Sequence, residues 1–465
     1  MPAFIDSHSH FMAVANNMLQ ASLNNCVCIK EIQDKLYKFK SENQIEDGKW
    51  ILANGYDHNN LKERRHITKE EIDKVLPNNP TVIQHQSGHS GVINSLGLKL
   101  LGITSKTVSP EGGKIDKNGN ELTGYLEENA FIQYLRKIPM TGMNELIQAT
   151  KKAEKKYASY GITTVQEGYM TEELMPVYKE LVRNKSLYLD VIAYIDEKIK
   201  GKVENEFEEN IKKYKNNFKI GGIKIFLDGS PQSRTAWMRT PYIDDENYYA
   251  YGTMKDSEVN EAVQLAYNDN LQILAHCNGD RAAEQYIEAI KHVQGNVSKI
   301  RPVLIHGQLL GIDELDEVKR LGIIPSFFIA HTYYWRDVHI KNFGKDRANK
   351  ISPAGSCKEK GILFTLHQDS PVIEPNMFET IWCAVNRITK EGKVLGEEER
   401  VNVLDAIKAV TINAAYQYFE ENTKGSIKEG KIADLIILDK NPLKVDLQEL
   451  KNIKILQTIK SGEII

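Results

Sequence analysis

The chain has 465 residues, 26% of them charged and 41% apolar, with a formal net charge of −3. No basic field points to nucleic acid or to an anionic membrane, and no apolar run approaches the ~20 residues of a spanning helix. Five cysteines, with no second pair to complete Cys26-x-Cys28, make neither a disulfide framework nor a zinc knuckle; with no basic stretch at Met1-Pro2-Ala3, the expected compartment is the cytoplasm.

The first element is a short β-rich run at residues 3–6, closed by His8-Ser9-His10. Alternate side chains of an extended strand share a face, so His8 and His10 point the same way and can grip one metal ion. Alone, the pair reads better as two surface histidines. The next stretch breaks the pattern. Residues 11–155 are far too long for a simple strand-to-helix connection. They contain strand-like runs at Trp50-Ile51-Leu52-Ala53-Asn54-Gly55 and Pro80-Thr81-Val82-Ile83-Gln84, with turn signals at Gly112-Gly113 and Asn118-Gly119. They read as an inserted subdomain that could cover a barrel mouth. Within it Tyr56, Asp57, His58 and His89 are candidate pocket residues.

Beyond the insert, short β-rich runs recur at residues 163–166, 191–194, 223–227, 272–275, 302–305, 323–328 and 362–366. Helical stretches lie between most of them, at 172–183, 204–216, 257–268, 282–292 and 313–320. Strands alternating with helices argue for a parallel sheet, and eight such strands for an α/β fold of the (β/α)8 TIM-barrel type. The barrel is assigned to residues 1–400. Residues 401–465 change character to a helix and short β-elements, read as part of a small, incomplete β-sandwich domain.

Taking the residue at the end of each strand gives a pattern. His8 and His10 close the first strand, Lys224 lies in the fourth, His276 ends the fifth, His306 the sixth, and His367 and Asp369 follow the eighth. Active sites of such barrels sit at the C-terminal ends of the strands. Imidazole and carboxylate suit zinc and similar divalent ions. An ammonium is no ligand, so Lys224 either carries a carbamate or forms a buried ion pair with Asp228 or Asp369. Glu167, after the second strand, and Arg234, after the fourth, are further candidates at the same rim, with His89 and His367, for binding substrate.

These residues carry a resemblance. The chain resembles the amidohydrolase superfamily, and within it the YtcJ-like amidohydrolase 3 group. The likeness rests on Pro2-Ala3-Phe4-Ile5-Asp6-Ser7-His8-Ser9-His10-Phe11, Gly222-Ile223-Lys224-Ile225-Phe226-Leu227-Asp228-Gly229-Ser230, His276 with Gly279-Asp280-Arg281-Ala282, and Asp369-Ser370-Pro371-Val372. Thr411-Ile412-Asn413-Ala414-Ala415 and Gly430-Lys431-Ile432-Ala433-Asp434 extend it to the C-terminal region.

The resemblance implies metal-dependent hydrolysis of carbon–nitrogen bonds in a small non-peptide amide, N-acyl compound or cyclic amide. It implies that His8, His10 and Asp369 hold one metal, that His276 and His306 hold a second, and that carboxylated Lys224 bridges them. Zinc is the first expectation, with one or two ions per chain; manganese, iron and nickel are open. A hydroxide held by the metals would attack the carbonyl, and Asp369 would take its proton and pass it to the leaving nitrogen. Such relatives usually carry a further segment before His-x-His that supplies strands to the small β-domain, so part of that domain is expected to be missing. An ester or lactone hydrolase with the same site, or a catalytically silent small-molecule-binding relative, are the alternatives. The expected partner is a small-molecule substrate, without nucleic acid or membrane, and a homodimer is left open.

Overall fold

A computed structural model describes residues 1–85, 90–110, 112–138 and 142–465. The chain divides into two compact units, one formed by Met1–Val14 with Thr150–Ile465 and the other by Ala15–Ala149. The first strand, β1 (Phe4–Ile5), belongs to the first unit. The next six build the second: β2 (Gln20–Ser22), β3 (Ile51–Tyr56), β4 (Thr81–His85), β5 (Ser90–Ile93), β6 (Gly113–Asn118) and β7 (Glu121–Glu128). The chain then returns to the first unit with β8 (Ile162–Met170), β9 (Asp190–Asp196), β10 (Phe218–Phe226), β11 (Gln272–Cys277), β12 (Val303–His306), β13 (Ile324–Phe327) and β14 (Thr365–Leu366). It ends in β15 (Leu435–Leu438), β16 (Ile455–Lys460) and β17 (Glu463–Ile464).

In the first unit eight parallel strands run in the order β1-β8-β9-β10-β11-β12-β13-β14. Their residues are mostly apolar and nearly all buried, as parallel strands covered on both faces must be, and the polar ones among them, such as Gln166, Asp190 and Lys224, are buried with them. The sheet curls, and residues that follow β1 bond to residues in or after β14. The Ser7 hydroxyl donates to the Leu366 carbonyl at 3.0 Å, and the His10 N–H to the Ser370 carbonyl at 2.8 Å. Four of the expected helices are found, at Met175–Arg183, Asp256–Asn268, Asp280–His292 and Leu315–Leu321. The fifth, expected over 204–216, is broken. A helix covers Lys200–Glu206, and the chain then passes through a single turn at Glu208–Asn210 into irregular backbone. The buried Asn210 side chain donates to the Lys215 and Phe218 carbonyls, tying this irregular stretch to the start of β10.

Of the incomplete sandwich expected at the C-terminal region, one sheet is found. Among the described residues the region forms a single antiparallel sheet, β15-β16-β17. Its inner face, with Ile436 and Thr458, lies on the first unit: the Thr458 hydroxyl donates to the Ala158 carbonyl at 2.6 Å, and Ile436 and Ile455 pack over Gly161. That contact covers the face a second sheet would have covered. The start of the chain adds to the edge, with Ala3 N–H donating to Asp434 and Ile436 N–H to Met1.

The second unit is a six-stranded mixed sheet, β2-β3-β4-β5-β7-β6, in which β2, β3 and β4 run parallel and the rest antiparallel. Alternation gives it two cores. Ile51, Ala53 and Ile83 face one side with Ile32 and Leu36, while Val82 and Leu126 face the other with Leu98 and Phe131. The Asn118-Gly119 turn signal is the tip of the β6–β7 hairpin, where Gly119 adopts φ 62°. No helix among the described residues is long and apolar enough to cross a membrane.

Candidate metal centre

The C-terminal ends of the eight strands carry the candidate ligands, and the registers explain why they meet. His276 in β11 lies beside Phe226 of β10, and His306 of β12 beside Cys277 of β11. His306 is the last residue of β12, His276 the last but one of β11, Lys224 lies two residues before the end of β10, and His8, His10 and Asp369 follow just beyond β1 and β14, so the side chains collect where the sheet stops. His306 (φ 73°) and Asp369 (φ 53°) both adopt left-handed backbone, which is uncommon for residues other than glycine and gathers at functional sites.

His8, His306 and Asp369 each offer a ligand atom, all within 4.8 Å of one another. Asp369 Oδ1 is 3.5 Å from both His8 Nε2 and His10 Nε2. The His276 and His306 rings are 4.6 Å apart, and His8 lies 5.5 Å from His306. Lys224 Nζ reaches His8 Nε2 at 3.3 Å. Gly168 makes room for this packing: a Cβ there would stand 2.7 Å from the His8 ring.

The donor set fits a divalent ion. Asp369 Oδ1 is buried and accepts no hydrogen bond, a costly state unless something else binds it. Burial, reinforced for His8 by the nearby Lys224 charge, pushes His8, His10 and His306 below the ordinary imidazole value, so they present lone pairs rather than protons. Burial also lowers the Lys224 amine to about 7. The ion pair considered for Lys224 is not found: among the described residues it makes none.

Behind three of the four histidines stands a partner that fixes the tautomer. His8 Nδ1 meets Gln166 Oε1 at 2.5 Å, and the Gln166 amide nitrogen donates to the Ser7 carbonyl and the Tyr418 hydroxyl. With its oxygen thus turned to His8, Gln166 accepts, Nδ1 carries the proton and Nε2 faces the centre. His276 Nδ1 lies 3.2 Å from Asp228 Oδ1, and Asp228 also accepts the N–H groups of Trp237, Asn278 and Gly279. His306 Nδ1 contacts His367 Nε2 at 3.1 Å, His367 Nδ1 meets the Ser326 hydroxyl at 2.9 Å, and Ser326 meets Ser7 at 3.3 Å. Since Ser7 donates to the Leu366 carbonyl, one direction of donation satisfies the whole chain: His306 to His367 to Ser326 to Ser7. It leaves His306 Nε2 free as a ligand.

The other residues expected to contact substrate have these surroundings. His367 is fully buried with both ring nitrogens engaged. Glu167 is buried, and its Oε2 accepts from the Met12 N–H and the Tyr178 hydroxyl, so it anchors the turn after His10. Arg234 lays its guanidinium over Tyr242 and Tyr248, 5.1 and 5.8 Å from the ring centres. His89 lies outside the described residues. Sequence reasoning missed Gln166, Ser326 and the role of Asp228. A glutamine in a buried strand was the one available signal, since a buried amide needs partners.

Gln166→Leu is expected to weaken divalent-metal affinity 10–100-fold, the usual effect of losing a residue that orients a ligand. A zinc titration against a competing chelator checks it. Wild-type affinity in the variant would mean that His8 needs no orienting partner.

A family model described as "Amidohydrolase family" matches residues 1–465. YtcJ of Bacillus subtilis (strain 168) is 28% identical over 488 residues, covering 100% of this chain and 88% of YtcJ. The N-substituted formamide deformylase of Arthrobacter pascens is 25% identical over 486 residues, covering 99% of this chain and 87% of its own. Among solved structures, an uncharacterized metal-dependent hydrolase from Pyrococcus furiosus superposes with a TM-score of 0.77 at 25% identity, over 96% of this chain and 88% of that one.

Proposed function

This chain belongs to the amidohydrolase family, and on that premise we propose that it hydrolyses the carbon–nitrogen bond of a small non-peptide amide, N-acyl compound or cyclic amide, using one or two divalent ions, zinc first among them. The observation that carries this reading is the convergence of four imidazoles, a buried lysine and the unsatisfied Asp369 Oδ1 at the C-terminal end of one parallel sheet. In this reading the sheet closes as a (β/α)8 barrel around them. His8, His10 and Asp369 hold one ion; His276 and His306 hold the other.

A bound divalent ion supplies two things, polarisation of the substrate carbonyl and acidification of a water molecule. The rest is chemistry of the chain. Asp369 takes the proton that water loses on attacking the carbonyl carbon, then delivers it to the nitrogen as the C–N bond breaks. The products are a carboxylic acid and an amine. An amine near 7 is substantially neutral at physiological pH, so Lys224 can attack CO2, lose a proton and become a carbamate. That change would turn a buried, unpaired amine into an oxygen ligand placed beside His8.

The substrate class is tested by a hydrolysis screen of N-substituted formamides, N-acyl amino acids, cyclic amides and lactones with added zinc or manganese. N-substituted formamides come first because a 25% identical relative is a deformylase of that class. Amine release that stops on chelation and returns with metal is the expected result. Turnover of lactones alone would replace the amide assignment by an ester one, and metal binding without any turnover would leave a binding protein.

A further inference from the structure

The second unit holds another group of ligand atoms, apart from the residues assigned above. In its sheet β3 and β4 run parallel, with Tyr56 opposite His85 at their C-terminal ends. Asp57 and His58 follow directly after β3, so the register brings them beside His85. Asp57 Oδ1, His58 Nδ1 and His85 Nε2 form a triangle with sides of 3.3 Å (His58 to His85), 3.4 Å (Asp57 to His85) and 3.7 Å (Asp57 to His58).

The three sides are long for hydrogen bonds: all exceed the 2.7–3.2 Å of good N–H bonds. Each imidazole nitrogen carries at most one proton, so His85 Nε2 cannot serve both neighbours by donating. Ligands about 2.0–2.1 Å from a tetrahedral ion stand about 3.3–3.4 Å apart, which is the spacing seen.

The surroundings hold the atoms in place. The Asn59 backbone and side-chain N–H groups bond Asp57 Oδ1 at 2.8 and 3.0 Å. His66 lies on His58 at 4.0 Å between ring centres, Tyr125 stacks on His66 at 4.3 Å, and the Tyr56 hydroxyl meets His66 Nδ1 at 2.9 Å. Burial keeps His85 below its ordinary value and takes His66 to about 4, so both rings are neutral near pH 7. Side-chain exposures of 24%, 30% and 13% for Asp57, His58 and His85 leave a path for an ion to enter.

We propose that Asp57, His58 and His85 form a further divalent-metal site, of the zinc class, with two imidazoles, one carboxylate and a fourth position for water. It is independent of the centre on the parallel sheet and does not rest on the function proposed for that centre.

The test is metal stoichiometry of the full chain after equilibration with micromolar zinc, measured by emission spectroscopy for wild type, Asp57→Asn and the double variant His58→Ala/His85→Ala. The expected result is one zinc per chain fewer in the double variant, and at least tenfold weaker binding of that one ion in Asp57→Asn. Cobalt(II) loading should show a visible absorption band that both variants lose in part. If the double variant fails to fold, judged by circular dichroism, Asp57→Asn decides alone. Equal stoichiometry and affinity in wild type and the folded variants would overturn the site.

Discussion

Asp369→Asn is expected to lower kcat about 10³-fold on whichever amide the screen identifies, within the range for loss of a general base. The substitution keeps shape and removes basicity. Asp369 Oδ1 stands 3.5 Å from two imidazole nitrogens and accepts no hydrogen bond, so neither its position nor a bonding network explains its burial. Asparagine would either turn its oxygen inward, still bind metal weakly and take no proton, or present an N–H₂ to imidazole lone pairs. Both outcomes spare the fold, since Asp and Asn alike tolerate left-handed backbone such as the φ of 53° at this position. Initial rates at saturating substrate, alongside metal content and melting temperature, check the prediction. A variant that keeps more than a tenth of wild-type kcat with its metal bound would remove Asp369 as the base.

What the sequence revealed is which strand ends carry the ligands: His276 and His306 close apolar strands, whereas His8 and His10 lie past the end of β1 in irregular backbone, so the alternation read for that pair is not what brings them together. The interlocking partners were hidden because they depend on distances no local pattern encodes. Gln166 supports His8 from 158 residues away, and Ser7 reaches Leu366 across 359. His367 shows the limit of alternation. Its parity with Asp369 left open a place in the pocket or one behind the ligands; it backs His306, and Asp369 lies three residues past β14 in left-handed backbone, where strand parity no longer applies. The helix expected at 204–216 failed for a different reason. Its lysines and glutamates favour helix, but Lys212, Asn216 and Asn217 all take positive φ, and turn chemistry at the two asparagines prevails. In the second unit the strand-like runs at β3 and β4 were legible, whereas the order of the mixed sheet was not.

Asp190→Asn is expected to cost about 3 kcal/mol of stability at pH 7. Asp190 opens β9 and is buried, with Oδ2 2.5 Å from Lys424 Nζ and 2.6 Å from Lys460 Nζ. Lys424 also meets Glu420 at 2.8 Å, Lys460 meets Asp434 at 3.0 Å, and Lys219 pairs with Glu420. Removing one partner of a buried pair usually costs 3–5 kcal/mol because the other charge stays buried; here each lysine keeps a second carboxylate, which places the loss near the lower end. The pH dependence follows from the same contacts. Burial works to raise the Asp190 carboxyl, but the two ammoniums outweigh it and hold it below its ordinary value. A carboxylate lowered on folding stabilises above its unfolded pKa of about 4 and loses that contribution as pH falls through the folded value. Wild type and variant should therefore differ fully at pH 7 and converge only well below pH 4. Urea denaturation at several pH values checks this, and a difference under 1 kcal/mol at pH 7 would show the network to be replaceable. The network also accounts for where the C-terminal sheet sits. Lys460 ends β16, Asp434 precedes β15, and Asp190 begins a strand of the parallel sheet, so a buried charge cluster fastens the last residues to the end of that sheet opposite the metal centre. Asp190→Asn is thus predicted to loosen β15, β16 and β17 first, visible as faster amide exchange at Ile436 and Thr458 before any change at His306.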